Sequence, residues 1–394
     1  MFGREIAQAE CIFKYIKKSL FNSISNSIPL NFWKITIDGE PKTICLFRLE
    51  NYLWQFSGGG NMIPISMSHE YKNIISIKNL CNAWTEFIRG KKSKKDVAEF
   101  SLNLSQNIFR LHDDLRTKTY RHGSYEAFSI SDPKPRNIHK ANVRDRLLHH
   151  AIHRILYPHF DKKFIDDSYS CRLNKGTHKA INRFKIFSSK VSKNNTKTAW
   201  VLKCDIKKFF ASIDHNILLF ILEKHIEDQN TIWLLEKVIT SFNCGIPEKG
   251  LPLGNLTSQL LANVYMNEFD RFVKHKLRTR YYIRYADDFV IFSRDKDKLL
   301  KTLSEIDNFL LKHLKLNLHP DKVFIRTIAS GNDFLGWIHF PRHRVLRTST
   351  KRRMFRRVKK NQTKETIASY LGLLKHGSGY KIERKLNEIL DSKI

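Results

Sequence analysis

The sequence predicts a mixed fold, α/β or α+β, in which strands are interleaved with helices. Three observations lead there. Runs rich in β-branched and aromatic residues alternate along the chain with stretches whose apolar residues recur every three or four positions. The 394 residues are 41% hydrophobic and 12% aromatic, enough for packed cores and too much for a chain that is mainly disordered. No run approaches the ~18 apolar residues that a bilayer crossing needs. At roughly 100–200 residues per domain, the length implies two or three domains.

In chain order, residues 1–72 hold strand-like runs at 33–37 and 43–48, broken at Ser57-Gly58-Gly59-Gly60-Asn61, and carry no recognisable chemistry. Charges scattered through residues 1–18 argue against a signal peptide. From Ile75 onward Leu80, Trp84, Phe87 and Ile88 take helical spacing, and Val143, Leu147, Leu148, Ala151, Ile152, Ile155 and Leu156 mark one face of a helix over 142–160. Residues 200–206 read as a buried strand, 214–223 and 256–276 as helices, and 280–293 as two strands around a tight turn at Ala286-Asp287. Residues 341–360 carry ten Arg or Lys and no acid, after which Ile367, Tyr370, Leu371 and Leu374 restore helical spacing.

With 70 Lys and Arg against 38 Asp and Glu, the net charge is +32, and the pI is near 9.9. Such a balance implies a polyanionic partner. Nucleic acid is the first candidate, because every phosphate neutralised releases a condensed counterion. An anionic membrane fits less well, since neither end carries a basic amphipathic anchor. Ten like charges over 341–360 repel one another unless something negative lies against them, so a merely solvated run is the weaker reading of that block. The six cysteines, Cys11, Cys45, Cys81, Cys171, Cys204 and Cys244, form no CxxC pair and are expected to be reduced core residues. His149 and His153 lie one helical turn apart, yet a basic helix without a nearby carboxylate is a poor zinc site.

In so basic a chain the informative residues are acids inside apolar runs. Asp287 and Asp288 sit between two strongly β-forming stretches, Tyr285-Ala286 and Phe289-Val290-Ile291-Phe292. Adjacent carboxylates at a hairpin tip repel each other, and a hard divalent cation such as Mg²⁺ would make their proximity favourable. Asp205 ends the apolar strand Val201-Leu202-Lys203-Cys204, where an unpartnered charge is costly. It is expected to complete the site, with the Ile206 carbonyl as a further oxygen ligand. Two metals held about 4 Å apart by such carboxylates serve in-line phosphoryl transfer, the chemistry of a polymerase.

At this point a resemblance becomes specific. Tyr285-Ala286-Asp287-Asp288 resembles the YxDD box of reverse transcriptases, and residues 202–210, LKCDIKKFF, resemble their first metal-binding strand. Five further blocks follow the family's order: Lys134-Pro135-Arg136 with Arg144-Asp145-Arg146, residues 169–176 (YSCRLNKG), residues 250–259 (GLPLGNLTSQ), residues 317–322 (NLHPDK) and Phe334-Leu335-Gly336-Trp337. The resemblance runs from about Ile75 to the C-terminus. It implies an α+β right-hand polymerase fold: an N-terminal extension over 1–72, fingers and the start of the palm over 73–200, an antiparallel palm over 201–340 and a short basic helical thumb over 341–394.

The resemblance also implies roles. Asp205, Asp287 and Asp288 would bind two Mg²⁺ ions, with Mn²⁺ able to substitute, and Lys322 would be the general acid that protonates pyrophosphate. Phe210 matches the aromatic gate that excludes a ribose 2′-hydroxyl. Arg172 and Lys134 would contact the triphosphate or template, while Gly254 would let the template or incoming base approach the backbone, with Gln259 nearby. Arg347, Lys351, Arg352, Arg353, Arg356 and Arg357 would grip the template-primer duplex.

Where many family members have Gln-Gly and Ser-Pro in the template block, this chain has Leu253-Gly254 and Ser258-Gln259. That departure is similar to the reverse transcriptases of diversity-generating retroelements, which copy RNA with low fidelity. Antiphage cDNA synthesis is the alternative role, and a non-catalytic RNA-binding protein is a further one that three clustered acids disfavour. The expected partners are template RNA, cDNA and deoxynucleoside triphosphates, with a small basic accessory protein or a second copy left open. No membrane association is expected, and the location is expected to be cytoplasmic.

Overall fold

The computed structural model describes residues 31–37, 40–49, 52–56, 62–64, 70–131 and 135–391. The chain divides into two units, Met1–Ser68 and His69–Ile394. In the first, β1 (Asn31–Ile37), β2 (Glu40–Leu49), β3 (Tyr52–Phe56) and β4 (Met62–Pro64) form an antiparallel meander in sequence order, with Asn31 opposite Leu46 and Phe47 opposite Trp54. Both strand-like runs expected there fall within β1 and β2. The expected break at 57–61 lies outside the described residues.

The second unit begins with four helices, α1 (Glu70–Ile75), α2 (Ile77–Phe87), α3 (Lys95–Leu102) and α4 (Leu104–Arg116), then the hairpin of β5 (Tyr125–Ile130) and β6 (Arg136–Ala141). Next come α5 (Val143–Asp161), α6 (Thr177–Val191), β7 (Trp200–Asp205), α7 (Phe209–Ser212), α8 (His215–Glu223), α9 (Gln229–Thr240) and α10 (Leu256–Arg271). The α5 start is set by Asn142, whose side chain accepts the Asp145 N–H at 2.8 Å, and Asp214 caps α8 in the same way through Ile217 N–H. The helix expected to reach 276 is α-helical only to Arg271, because Phe272–Lys276 forms a π turn.

β8 (Tyr282–Tyr285) and β9 (Asp288–Ser293) follow, then α11 (Lys296–Leu314), β10 (Phe324–Thr327), β11 (Asn332–Phe334), β12 (Trp337–His339), β13 (Arg344–Leu346) and helices α12 (Thr348–Lys360), α13 (Lys364–Leu374) and α14 (Tyr380–Asp391). The central sheet has the order β10-β7-β9-β8, and all its pairings are antiparallel, which makes the fold α+β. A smaller antiparallel sheet, β11-β12-β13, precedes α12.

Both faces of the central sheet are buried, which explains why β7 and β9 read as continuous apolar runs. On one face Leu202, Cys204, Phe289 and Ile291 join the large core built on α5 and α10; on the other Val201, Val290 and Phe292 join a second core with Phe184 and Phe187 of α6, Phe334, Trp337 and Met354. The α5 face is close to that expected, with Val143, Leu147, Leu148, Ala151, Ile152 and Leu156 buried and Ile155 half-buried against the same core.

The cysteine expectation holds only in part. Cys81, Cys171, Cys204 and Cys244 are free, but only Cys204 of these is buried; Cys244 is half-buried and Cys81 and Cys171 are exposed, while Cys11 lies outside the described residues. His149 is buried beside His122 and His153 stacks on Tyr157, and among the described residues no three His, Cys, Asp or Glu side chains converge as a metal site. Among the described residues no helix is long and apolar enough to cross a membrane.

Glu70, at the start of α1, is buried, and its Oε2 has no hydrogen-bond partner. Burial, followed by repulsion from Asp228, pushes its carboxyl up from the usual 4.5 to about 7. The folded state therefore holds this proton more tightly than the unfolded chain. The resulting stability is full below about pH 4.5 and is lost as the pH rises through 7. Glu70→Gln is expected to raise the unfolding free energy at pH 8 by about 1 to 3 kcal/mol and to leave it unchanged near pH 4, as chemical denaturation at the two pH values would show. An equal effect at both would mean that the carboxyl charge is not the cause.

Candidate catalytic cleft

Asp205 and Asp288 face each other across the β7–β9 register, and Asp287 stands in the two-residue turn between β8 and β9. The Ile206 N–H donates to the Asp287 carbonyl at 3.2 Å, tying the end of β7 to that turn. Ala286 is left-handed at φ +55, a conformation that costs a residue with a Cβ about 1–2 kcal/mol.

What holds the turn is Arg284, a fully buried guanidinium in β8. All five of its N–H donors are engaged: Nε to Asp270 Oδ1 at 2.7 Å, Nη2 to Asp270 Oδ2 at 2.6 Å and to Ser168 Oγ at 3.1 Å, and Nη1 to Asn263 Oδ1 at 3.3 Å and to the Ala286 carbonyl at 3.1 Å. Tyr282 also donates its hydroxyl to Asp270 Oδ1, at 2.7 Å. From the outer side, Thr177 donates to the Tyr285 hydroxyl at 3.2 Å.

The three carboxylates form an electrostatically tense group. Burial pushes Asp288 up to about 7, with Asp205 and Asp287 adding to the rise and Lys203 opposing it. Burial and then Asp205 raise Asp287 as well. Lys322 is ion-paired with Asp205 Oδ2, and Lys203 lies 3.5 Å from Asp288 Oδ2. Asp288 Oδ1 is buried and has no partner. With two of the carboxylates turned toward lysines, the acids do not converge on a single point. A buried, unpartnered carboxylate oxygen within a set of hard oxygen donors nevertheless suits a divalent cation.

Asp205 and Asp288 line an open cleft of about 1310 Å³ whose other side is basic. The basic side is α12, where Thr350, Met354 and Val358 form a buried stripe at intervals of four, while Arg352, Arg353, Arg356, Arg357 and Lys360 line the cleft. Arg347, just before the helix, also lines it and is ion-paired with Asp333. Lys351 is half-buried and is not among the lining residues.

The remaining expected site residues are dispersed. Lys134 lies outside the described residues. Phe210 is half-buried edge-on to Phe209, and its carbonyl accepts the Leu251 N–H at 2.8 Å. Leu253 is half-buried and its carbonyl accepts the His139 N–H at 3.0 Å, so the 250–254 segment is stitched to β6. Gln259 is half-buried on α10.

Two further expected residues make their contacts within the chain. Arg172 faces inward and not into the cleft: its donors go to Asp161 Oδ1 and the Ile165, Ser168 and Asp161 carbonyls at 2.6–3.1 Å, so it staples a loop. Gly254 has φ +108, and a Cβ there would meet Ile138 Cγ2 at 2.9 Å. The close approach it permits within the chain is to β6.

The sequence pattern alone gives no site role to Arg136, Lys203, Arg284 or Asp270. Arg136 lines the cleft near enough to act on Asp287, and Lys203 pairs with Asp288. A lone charge inside an otherwise apolar strand, as at Lys203 and Arg284, was the available signal.

The sequence pattern of the family described as "Reverse transcriptase (RNA-dependent DNA polymerase)" matches residues 131–372, more than half of the chain. Protein YkfC of Escherichia coli is 25% identical over 246 residues, 53% of this chain and 62% of that protein. A putative COX1/OXI3 intron 2 protein of Saccharomyces cerevisiae is 22% identical, covering 75% of this chain and 40% of its own length. The group II intron-encoded protein LtrA of Lactococcus lactis is 24% identical, covering 49% and 42% respectively. The chain thus spans less than two-thirds of the length of these relatives.

The Arg284–Asp270 pair can be tested through stability. Asp270→Asn leaves a buried guanidinium without its counter-charge and is expected to lower the unfolding free energy by about 3–5 kcal/mol. Replacing both members by apolar residues, Asp270→Leu with Arg284→Met, is expected to recover most of that loss in denaturant titrations. A double variant as unstable as Asp270→Asn would mean that the hydrogen bonds to the turn, and not the unpaired charge, dominate.

Proposed function

Because this chain belongs to the reverse transcriptase family, we propose that it synthesises DNA on an RNA template. The observation that carries the reading is the pairing of Asp205 with Asp288 across adjacent strands, beside Asp287, facing a cation-lined wall. Asp205, Asp287 and Asp288 would hold Mg²⁺, with the Ile206 carbonyl at the margin. Bound there, the metal would supply Lewis acidity for attack by a 3′-hydroxyl on the nucleotide α-phosphate.

The chain's own residues do the rest. Lys322, ion-paired with Asp205, would donate a proton to the departing pyrophosphate. Arg136 would meet the triphosphate charge near Asp287. The arginines of α12 would follow the template-primer backbone without reading its sequence. Phe210, in the short helix α7 that follows β7, would exclude a ribose 2′-hydroxyl. Residues 73–200, 201–340 and 341–394 would correspond to fingers, palm and thumb.

Asp205→Asn and Asp287→Asn are each expected to abolish deoxynucleotide incorporation and to remove the Mg²⁺-dependent rise in melting temperature that the unaltered chain would show. RNA affinity should stay within a fewfold, because phosphate contact rests on dispersed cations. Incorporation near the original rate in either variant would overturn the metal assignment.

The finer reading, low-fidelity copying in a diversity-generating retroelement, rests on Leu253. An amide at that position could hydrogen-bond near the nascent base pair, whereas leucine leaves discrimination to shape. One such contact contributes about 0.5–1.5 kcal/mol, a factor of a few to ten in misincorporation. Leu253→Gln is therefore expected to lower the error rate by that factor, most clearly opposite template adenine, in deep sequencing of cDNA made on one defined RNA. Rare errors spread evenly over the four template bases in the unaltered enzyme would favour antiphage cDNA synthesis instead.

A further inference from the structure

A second basic cavity opens at the far end of the central sheet. Its volume is about 420 Å³, and six cations line it: Lys190 in the last turn of α6 and Lys193 just after it, Arg278 and Arg280 before β8, and Arg294 and Lys298 after β9. No acidic side chain is among the lining residues, and among the described residues none of the six is ion-paired. All six are exposed.

This cavity is distinct from the catalytic cleft. β9 carries Asp288 into the cleft at one end and Ser293 into the cavity at the other. The five steps between them span about 17 Å at ~3.4 Å per residue.

The loop that presents Arg278 and Arg280 is held in place. Leu277 N–H donates to the Phe272 carbonyl at 3.0 Å and Thr279 N–H to the Val273 carbonyl at 3.0 Å, while Lys274 Nζ reaches the Arg280 carbonyl at 2.9 Å. Arg278 itself is left-handed, at φ +48. Cations brought together on three segments repel one another, and a polyanion is the partner that makes the arrangement favourable.

We infer that this cavity is a second phosphodiester-binding site, one that anchors a folded region of the RNA outside the catalytic cleft. The inference rests on the proposed RNA-templated activity for its choice of polymer. Lining cations without acids or a dedicated set of side-chain acceptors suit sequence-independent contact with a phosphate backbone. Two exposed arginines in a fixed loop offer the fork geometry that matches phosphate oxygens. Anchoring there would leave the cleft open to the part of the same RNA that is being copied.

The test compares the full chain with the variant Lys190→Gln/Arg278→Gln/Arg280→Gln/Arg294→Gln. Two RNAs are used: a short template-primer that occupies only the cleft and a long, folded RNA containing the same template segment. The variant is expected to bind and extend the short substrate as the unaltered chain does. On the long RNA it is expected to lose at least tenfold in affinity at physiological salt. The slope of log affinity against log salt should become shallower by about 0.7–0.9 for each phosphate contact removed.

Unchanged long-RNA affinity and slope would overturn the inference. So would saturable binding of tripolyphosphate that the variant loses while long-RNA binding is retained, since the cavity would then serve a small polyphosphate. If the fourfold variant melts below the unaltered chain, Arg278→Gln/Arg280→Gln alone should still give about half of the slope change. A chain that extends no primer but shows the variant-dependent loss on long RNA would refute the proposed polymerase activity and leave this site standing.

Discussion

The buried Arg284–Asp270 pair is the constraint on which the rest of the site depends. A guanidinium in a protein core costs several kcal/mol unless it is paired and its donors are filled. Here every donor is filled, and the partners come from separate parts of the chain: Asp270 and Asn263 on α10, Ser168 before α6, and the Ala286 carbonyl in the turn. Backbone bonds add to this link, with Arg284 N–H donating to the Asp167 carbonyl and Tyr169 N–H to the Arg284 carbonyl. The left-handed residue that lets Asp287 and Asp288 stand side by side is thus gripped from beneath by an interaction that tolerates little displacement.

Above that support, charge is arranged against the chain's overall balance. A protein with 32 net positive charges gathers three carboxylates, two on adjoining strands and one in the turn before β9, where burial and mutual repulsion raise Asp287 and Asp288. Lys322 and Lys203 moderate the group, and the arginine face of α12 stands across the cleft. The acids are therefore an anionic island that suits a hard cation, and the surrounding wall suits phosphate. The same separation of roles gives the far cavity its meaning, because cations gathered there have no carboxylates to serve.

Much of this was legible in the sequence because it depended on local pattern. Strands β7, β8 and β9 and the turn at Ala286-Asp287 lie where the runs of apolar and β-branched residues put them, and α5 buries the face that its spacing marked. Pairing between distant residues was not legible. Arg284 was visible as a charge in an apolar strand, but its partner Asp270 sits on a helix whose position no local pattern reports. Arg172 has the residue type of a phosphate ligand, yet its rotamer and four acceptors are set by the fold around Asp161 and Ile165. Gly254 was recognised as a place of close approach, but which chain approaches depends on the β6 hairpin packing against it. The π turn at Phe272–Lys276 escaped for a related reason, since helical periodicity does not distinguish an extra residue in one turn.

The central claim is that this buried scaffold presents carboxylates for RNA-templated DNA synthesis. Its most direct test is primer extension by the purified, unaltered chain on a defined RNA, with all four deoxynucleoside triphosphates and Mg²⁺. The account predicts a product that is complementary to the template, survives ribonuclease and is destroyed by deoxyribonuclease, and that fails to form when Mg²⁺ is chelated. A chain that binds the RNA tightly yet makes no such product, with either Mg²⁺ or Mn²⁺, would contradict it.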